Sequence, residues 1–154
     1  MEHTFKAMHK HGFQGTRADK EILKLNITKG ALYHHFPDKF ALGYAIVDEI
    51  IAPRYIEHWE ELSTYNGDPL ERIIDKLKAL LREAEDQDIS LGDPLTNLMQ
   101  EMSPLDEGFR LRLSGILEQI RDSIEAAILK GQKAGTVNDD VNALKAAYFI
   151  IASM

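Results

Sequence analysis

Between residues 105 and 128, Leu105, Phe109, Leu113, Ile116, Leu117, Ile120, Ile124 and Ile128 recur at fours and threes. That spacing puts them on one face of an α-helix, whereas side chains of a strand alternate with period two. A stripe this long must be covered by other helices, and the rest of the chain supplies them. No alternating β-branched run and no Asn-Gly hairpin signal interrupts the pattern. The fold class read from the residues is all-α.

Punctuation residues divide the chain into helices. A first short helix stops at Gly12, and a second begins near Thr16 or Arg17 with Ala18, Ile22 and Leu25 on one face. Asn26 tolerates a left-handed backbone and ends it. Thr28 then N-caps a third helix, which reaches only to Phe36 because Pro37 cannot continue it. Asp38 caps a fourth, whose stripe of Leu42, Ala45, Ile46, Ile50, Ile56, Trp59 and Leu62 is expected to kink or break at Pro53. The string "NGDP" at 66–69 stops one helix and starts another, with Leu70, Ile73, Ile74, Leu77, Leu80 and Leu81 as its expected core face. "GDP" at 92–94 launches a shorter helix, "SP" at 103–104 the longest, and a last one begins near Asp140.

Charge separates the first third from the remainder. The net charge is −7, which taken alone argues against a nucleic-acid partner. Residues 1–45, however, hold seven Lys/Arg against four Asp/Glu, and five of the six histidines, while residues 46–154 hold eleven against twenty-one. The first third can therefore meet a polyanion that the rest repels. The chain has no cysteine, so a disulfide framework and a thiolate metal site are both excluded. With no apolar run long enough to span a membrane and no signal-peptide pattern, the expectation is a soluble cytoplasmic protein.

The second and third helices, joined through residues 25–27, have the spacing of a helix-turn-helix, in which the second helix enters the major groove. Gly30 costs a helix about 1 kcal/mol relative to alanine and leaves room for close approach. Ala31 is small enough to meet a thymine methyl, and Lys29 offers a cation to phosphate or guanine. Tyr33 combines a hydroxyl with an apolar ring, or else is a core aromatic. Leu32 and Phe36 point back into the head.

These residues carry a resemblance. The string T-(11 residues)-TKGALYHHFPDK-x-AL, from Thr16 to Leu42, resembles the signature of the TetR/AcrR family of bacterial transcriptional repressors, and "QEMSPLDEGFR" at 100–110 resembles a branch of it more loosely. The resemblance covers roughly residues 5–50. It implies a helix-turn-helix DNA-binding domain over 1–46 and a helical regulatory and dimerisation domain over 47–154, truncated at its end. It implies that Thr16 caps the second helix against a phosphate. Thr28, Lys29, Gly30, Ala31 and His34 would face bases or flanking phosphates, and Tyr33, His35 and Lys39 would fix the DNA backbone. It also implies a homodimer on a palindromic operator of double-stranded DNA, a small-molecule effector that releases it, and neither enzyme activity, cofactor nor metal. This sequence departs from the family pattern in lacking a basic N-terminal arm, and in placing Glu21 where a branched apolar residue usually stands, with Ile22 one step later.

Two other classes compete. The adjacent His34 and His35 suggest a metal or acid–base pair, but neighbours on a helix diverge by about 100° and cannot share one ion comfortably. An all-helical enzyme would also need a converging nucleophile, base and orienting group, and none is evident. A protein-interaction module could retain the helix-turn-helix only as scaffold. In the body, Tyr55, Trp59, Met99, Met102, Phe109, Leu113 and Tyr148 are candidates to line an effector pocket, with Asn97 and Gln100 as polar anchors, and ordinary helix packing is the competing use of each.

Overall fold

Six of the helices start where a side chain satisfies a free amide. In the computed structural model, which describes residues 1–86 and 89–154, every regular element among those residues is a helix. They are α1 (Glu2–Gly15), α2 (Ala18–Leu23), α3 (Lys29–His35), α4 (Lys39–Ile46), a π-turn (Val47–Ile51), α5 (Ala52–Thr64), α6 (Pro69–Asp86), a 3₁₀ turn (Ile89–Leu91), α7 (Pro94–Met102), α8 (Glu107–Ala134) and α9 (Ala143–Ala152). Thr28 Oγ1 accepts from the Ala31 amide at 3.2 Å, Asp38 from Ala41 at 2.7 Å, and Asp93 from Thr96 at 2.7 Å. Asp68 accepts from Leu70 at 2.8 Å ahead of α6, and Asn142 caps α9 through Lys145 at 2.9 Å. Each such cap is worth about 1 kcal/mol.

Four details depart from the sequence pattern, each for a local reason. α8 starts at Glu107, because Asp106 takes the Phe109 amide at 2.8 Å and so displaces Ser103 as the start signal. Leu105 consequently lies outside the stripe and is exposed. The fourth helix is interrupted just ahead of Pro53 and not at the proline itself. A π-turn just ahead of it, closed by the Ala52 amide on the Val47 carbonyl, widens the turn that has to accept the proline ring. The added residue moves the buried face one position along, so Val47 and Ile51 are core and Ile50 is half-buried.

The fourth departure is the rotation of α6. Pro69, Ile73 and Lys76 face inward, whereas Leu70, Ile74 and Leu81 are exposed. This face has the same 4,3 spacing as the one expected, shifted by one residue. Pro69 fixes it by seating its ring against Gly131, where an added Cβ would lie 2.6 Å from Pro69 Cγ and 2.5 Å from a Val137 methyl.

Packing groups the described chain into two compact units, the first comprising Met1–Pro53 with Ile89–Ser114, the second Arg54–Asp88 with Gly115–Met154. These units follow contact rather than chain order, and the functional division at residue 46 remains a proposal. In the first unit α1 packs on α2, α4 and α7, and α2 on α3. Its core contains Phe13, Leu42, Ile46, Leu98, Met102, Phe109 and Leu113. The second unit is built on Trp59, Leu62, Ile73, Ile116, Ile120, Ile124 and Ile128.

An aromatic cluster closes the first unit. Phe13 meets Phe109 edge-on at 4.7 Å and Phe40 at 5.3 Å, and Tyr44 meets Phe109 at 5.0 Å. The rings fit because α4 carries Gly43, where a Cβ would lie 2.6 Å from both Phe109 Cζ and Phe13 Cε2. Gly43→Ala should therefore destabilise the protein. Overpacking against two buried rings costs about 1–3 kcal/mol, which outweighs the gain of about 1 kcal/mol in helix propensity. Chemical denaturation should show a lower midpoint with an unchanged slope, and a rise in midpoint would contradict the packing described.

Candidate nucleic-acid interface

The turn between α2 and α3 is set by backbone hydrogen bonds around one left-handed residue. Asn26 has φ 57°. Its amide donates to the Leu23 carbonyl at 3.1 Å, and the Ile27 amide reaches back to Ile22 at 3.2 Å. This is the paired 5→2 and 6→1 closure that terminates a helix at a left-handed residue. The chain then enters α3 through the Thr28 cap. Ile22 is buried in α2 together with Ala18, while Glu21 bonds His3 Nε2 at 3.0 Å and Lys24 Nζ at 2.7 Å. The local shift seen in the sequence is thus resolved in favour of Ile22.

Leu32 is buried and Phe36 half-buried, so α3 is anchored by its rear face. Lys29, Gly30, Ala31, Tyr33, His34 and His35 are all exposed. Lys29 Nζ lies 5.6 Å from the centre of the Tyr33 ring, one turn away on the same face. The His34 and His35 rings meet edge-on at 5.4 Å, and no group of three metal-ligating side chains occurs among the described residues. A Cβ added at Gly30 would meet only Thr28 Oγ1, at 4.0 Å. Nothing inside the protein requires glycine there.

Thr16 and Lys39 are engaged differently from the expectation. Thr16 is buried, and its hydroxyl donates to the Gly12 carbonyl at 2.7 Å. It therefore closes the end of α1 and makes no side-chain cap for α2, which starts behind Arg17. Lys39 donates to the Gln14 carbonyl at 3.1 Å and sits 4.6 Å from the centre of the Phe13 ring. Burial pushes its ammonium below the usual lysine range, while the Glu101 carboxylate acts in the opposite sense.

Behind this surface, α1 is broken at Gly12 (φ 75°, ψ 164°), as the sequence indicated, and a short helical segment resumes at Phe13. The Phe13 and Gln14 amides that the break exposes donate to Glu101 of α7 at 2.7 and 2.9 Å. His9 Nε2 donates to the Gly92 carbonyl at 2.8 Å. Sequence reasoning missed Glu101, because a glutamate beside the buried stripe of Leu95, Leu98 and Met102 looks like an ordinary solvated charge. A cleft of about 310 Å³ opens between α1 and α7, with Phe5, Met8, Ile51, Leu98, Asn97 and Glu101 in its lining.

The effector-pocket candidates fall in both units. Met102, Phe109 and Leu113 are core residues of the first, in which Met99 is half-buried and Gln100 exposed. Asn97 lines the α1–α7 cleft and donates to the Leu91 carbonyl at 2.6 Å. In the second unit Trp59 is buried, Tyr55 half-buried, and Tyr148 exposed with its hydroxyl accepting from Arg121 at 3.3 Å.

Known proteins decide the family. The pattern described as "tetracyclin repressor-like, C-terminal domain" matches residues 69–154, more than half of the chain. The chain belongs to the TetR family of transcriptional regulators. It is 26% identical over 156 residues to an uncharacterized HTH-type transcriptional regulator in the lacX 3′ region of Lactococcus lactis subsp. lactis, covering 98% of this chain and 75% of that one. It is 26% identical over 147 residues to the transcriptional regulator AcuR of Cereibacter sphaeroides, covering 90% of this chain and 64% of the relative. The crystal structure of reduced E. coli NemR superposes with a TM-score of 0.83 at 20% identity, over 98% of this chain and 79% of that one. An identity this low speaks for the fold alone.

The α2–α3 pair is the helix-turn-helix of this TetR-family regulator. Both of these relatives are transcriptional regulators. No helix among the described residues is long and apolar enough to cross a membrane.

The TetR-type head is also tied to α8. The Tyr44 hydroxyl donates to Asp106 at 2.7 Å, and the same carboxylate takes the Phe109 amide. The amide bond, with the Tyr44 hydroxyl next, holds Asp106 below its ordinary carboxylate range. A depressed folded-state value stabilises the fold above the unfolded value, and that contribution is lost as pH falls through the folded one. Asp106→Asn should therefore lower the thermal midpoint at neutral pH and flatten the acid limb of the stability–pH curve. An unchanged acid limb would mean that Asp106 does not contribute to it.

Proposed function

We propose that this TetR-family regulator is a cytoplasmic homodimer that represses transcription by placing α3 of each protomer in the major groove of a palindromic operator, and that a small effector bound among the body helices releases it. Gly30 carries the reading. The residue costs α3 about 1 kcal/mol, and no neighbour in the protein needs the space it leaves. Close approach of an outside surface accounts for it. Thr28, Lys29, Ala31 and His34 would then face base edges and flanking phosphates. Tyr33, His35 and Lys39 would hold the backbone, Lys39 by exchanging the Gln14 carbonyl for a phosphate. Thr16 would act from behind, by fixing the end of α1.

The acidic remainder confines contact to the head, and neutralised phosphates make affinity fall steeply with salt. Half-sites would be spaced by whole helical turns. Release needs the effector to prefer the arrangement with mis-spaced heads by a coupling of about 1–3 kcal/mol. In the second unit α9 buries only Ala143 and Ala147 and exposes Leu144, Tyr148 and Phe149, the last by 76%. A second copy of the same helix is the occupant that fits such a face in a family of dimers.

Selection of bound DNA from a random pool should return a palindrome. On that DNA Gly30→Ala should melt at or above the wild-type temperature yet bind at least about tenfold more weakly, an opposition that folding damage cannot produce. Lys29→Ala and Tyr33→Ala should lose footprint protection with the fold intact. Wild-type protection by all three variants would sink the assignment of α3. For the dimer, Phe149→Glu should convert a sedimenting dimer to a monomer with unchanged helicity, and a persisting dimer would exclude α9 as its contact.

A further inference from the structure

The rotation of α6 exposes Leu70, Ile74 and Leu81 and turns a lysine inward. Lys76 is 6% exposed, in a stretch of chain that is otherwise strongly acidic. Its ammonium donates to Glu61 Oε2 at 3.0 Å, the one hydrogen bond it makes among the described residues, which leaves two of its three donors without a partner among them. Arg72, one turn earlier on the same helix, gives an Nη2 bond to the other oxygen of Glu61 and lies 5.7 Å from the centre of the Tyr65 ring. Its Nε is buried with no acceptor among the described residues. Glu61 itself is 48% exposed, and the bonds from Lys76 and then Arg72 hold it below the usual carboxylate range.

Taken as an internal salt bridge the arrangement is poor. Two cations share one carboxylate that stands half in water, while the lysine and the guanidinium Nε have given up their own hydration. An apolar side chain at position 76 would satisfy the fold better, and α6 has apolar side chains that it leaves outside. The unfilled donors and the surplus positive charge instead fit an anion that comes from elsewhere.

We infer that Lys76 and Arg72 form the anchor of a binding site for an organic monocarboxylate. The inference rests on the proposed effector response and names the effector's chemical class. One negative charge neutralises the cluster, whereas a phosphate dianion would overshoot it within an acidic body. A carboxylate also offers its two coplanar oxygens to the Arg72 Nε and the Lys76 ammonium together. Trp59, Leu62 and Ile73 are buried on the same two helices, and an apolar remainder of the ligand suits them.

Trp59, the only tryptophan in the chain, reports on the site. The full-length protein is titrated with butyrate, octanoate and benzoate, with the matching neutral amides, and with inorganic phosphate, following Trp59 fluorescence. At least one carboxylate should give a saturable change, with its amide and phosphate at least about tenfold weaker. Lys76→Met should abolish that response and melt above wild type, because Glu61 keeps Arg72 and water as partners. Arg72→Gln should weaken the response without abolishing it. On the selected operator, Lys76→Met should bind as wild type does and no longer be released by the carboxylate. A lower melting temperature for Lys76→Met, equal binding of acid and amide, or saturation by no carboxylate would each overturn the site. Saturable carboxylate binding by a wild-type chain that selects no operator would support the site and overturn the regulator reading instead.

Discussion

The close approach at Gly43 is the contact on which the placement of the helix-turn-helix depends. It lets α4 lie against Phe13 of α1 and Phe109 of α8 at a distance that no side chain would allow. α2 packs on α1, and α3 on α2, so the orientation of α3 is inherited from that one aromatic junction. The exposed residues of α3 contribute nothing to holding it; Leu32 and Phe36 anchor it from behind. A surface built this way is free to carry residues that are poor for the fold, glycine in mid-helix among them.

Much of this was legible because it is local. Thr28, Asp38, Asp68 and Asp93 each cap the helix that follows, and Asn26 adopts the left-handed turn its residue type permits. Capping and turn chemistry act over three or four residues and need no tertiary context. The family resemblance rested on the same short stretch, and it led to the right fold. What escaped was either register or long range. The face of α6 is one residue away from the expected one because Pro69 seats on Gly131, sixty-two positions later in the chain, and two helical faces with equal spacing cannot be ranked by periodicity. The π-turn before Pro53 similarly moved the core from Ile50 to Ile51. Glu101 was unreadable, since its partners are backbone amides in another helix.

The departures also show where the molecule accepts cost. Gly30 gives up helix propensity at the surface, and Lys76 gives up hydration inside. Both are positions where a residue better for the fold alone is easy to name. Proteins held only just above their stability threshold carry such residues where something other than stability selects them. That the two lie in separate units, one on an exposed helix and one in a core, is what a regulator with one surface for DNA and one interior for a signal would require.

The break at Gly12 has a consequence for how the chain is made. The short segment after it cannot satisfy its own first amides and borrows a carboxylate 88 positions further on. Phe13 likewise waits for Phe109. A nascent chain therefore emerges with α3 complete and its support missing, and the support arrives only after α7 and the start of α8 have left the ribosome. At about 5–20 residues per second that is a delay of several seconds. Such a non-local contact forms later than contacts between helices adjacent in sequence. The helix-turn-helix is synthesised before the helices that secure it.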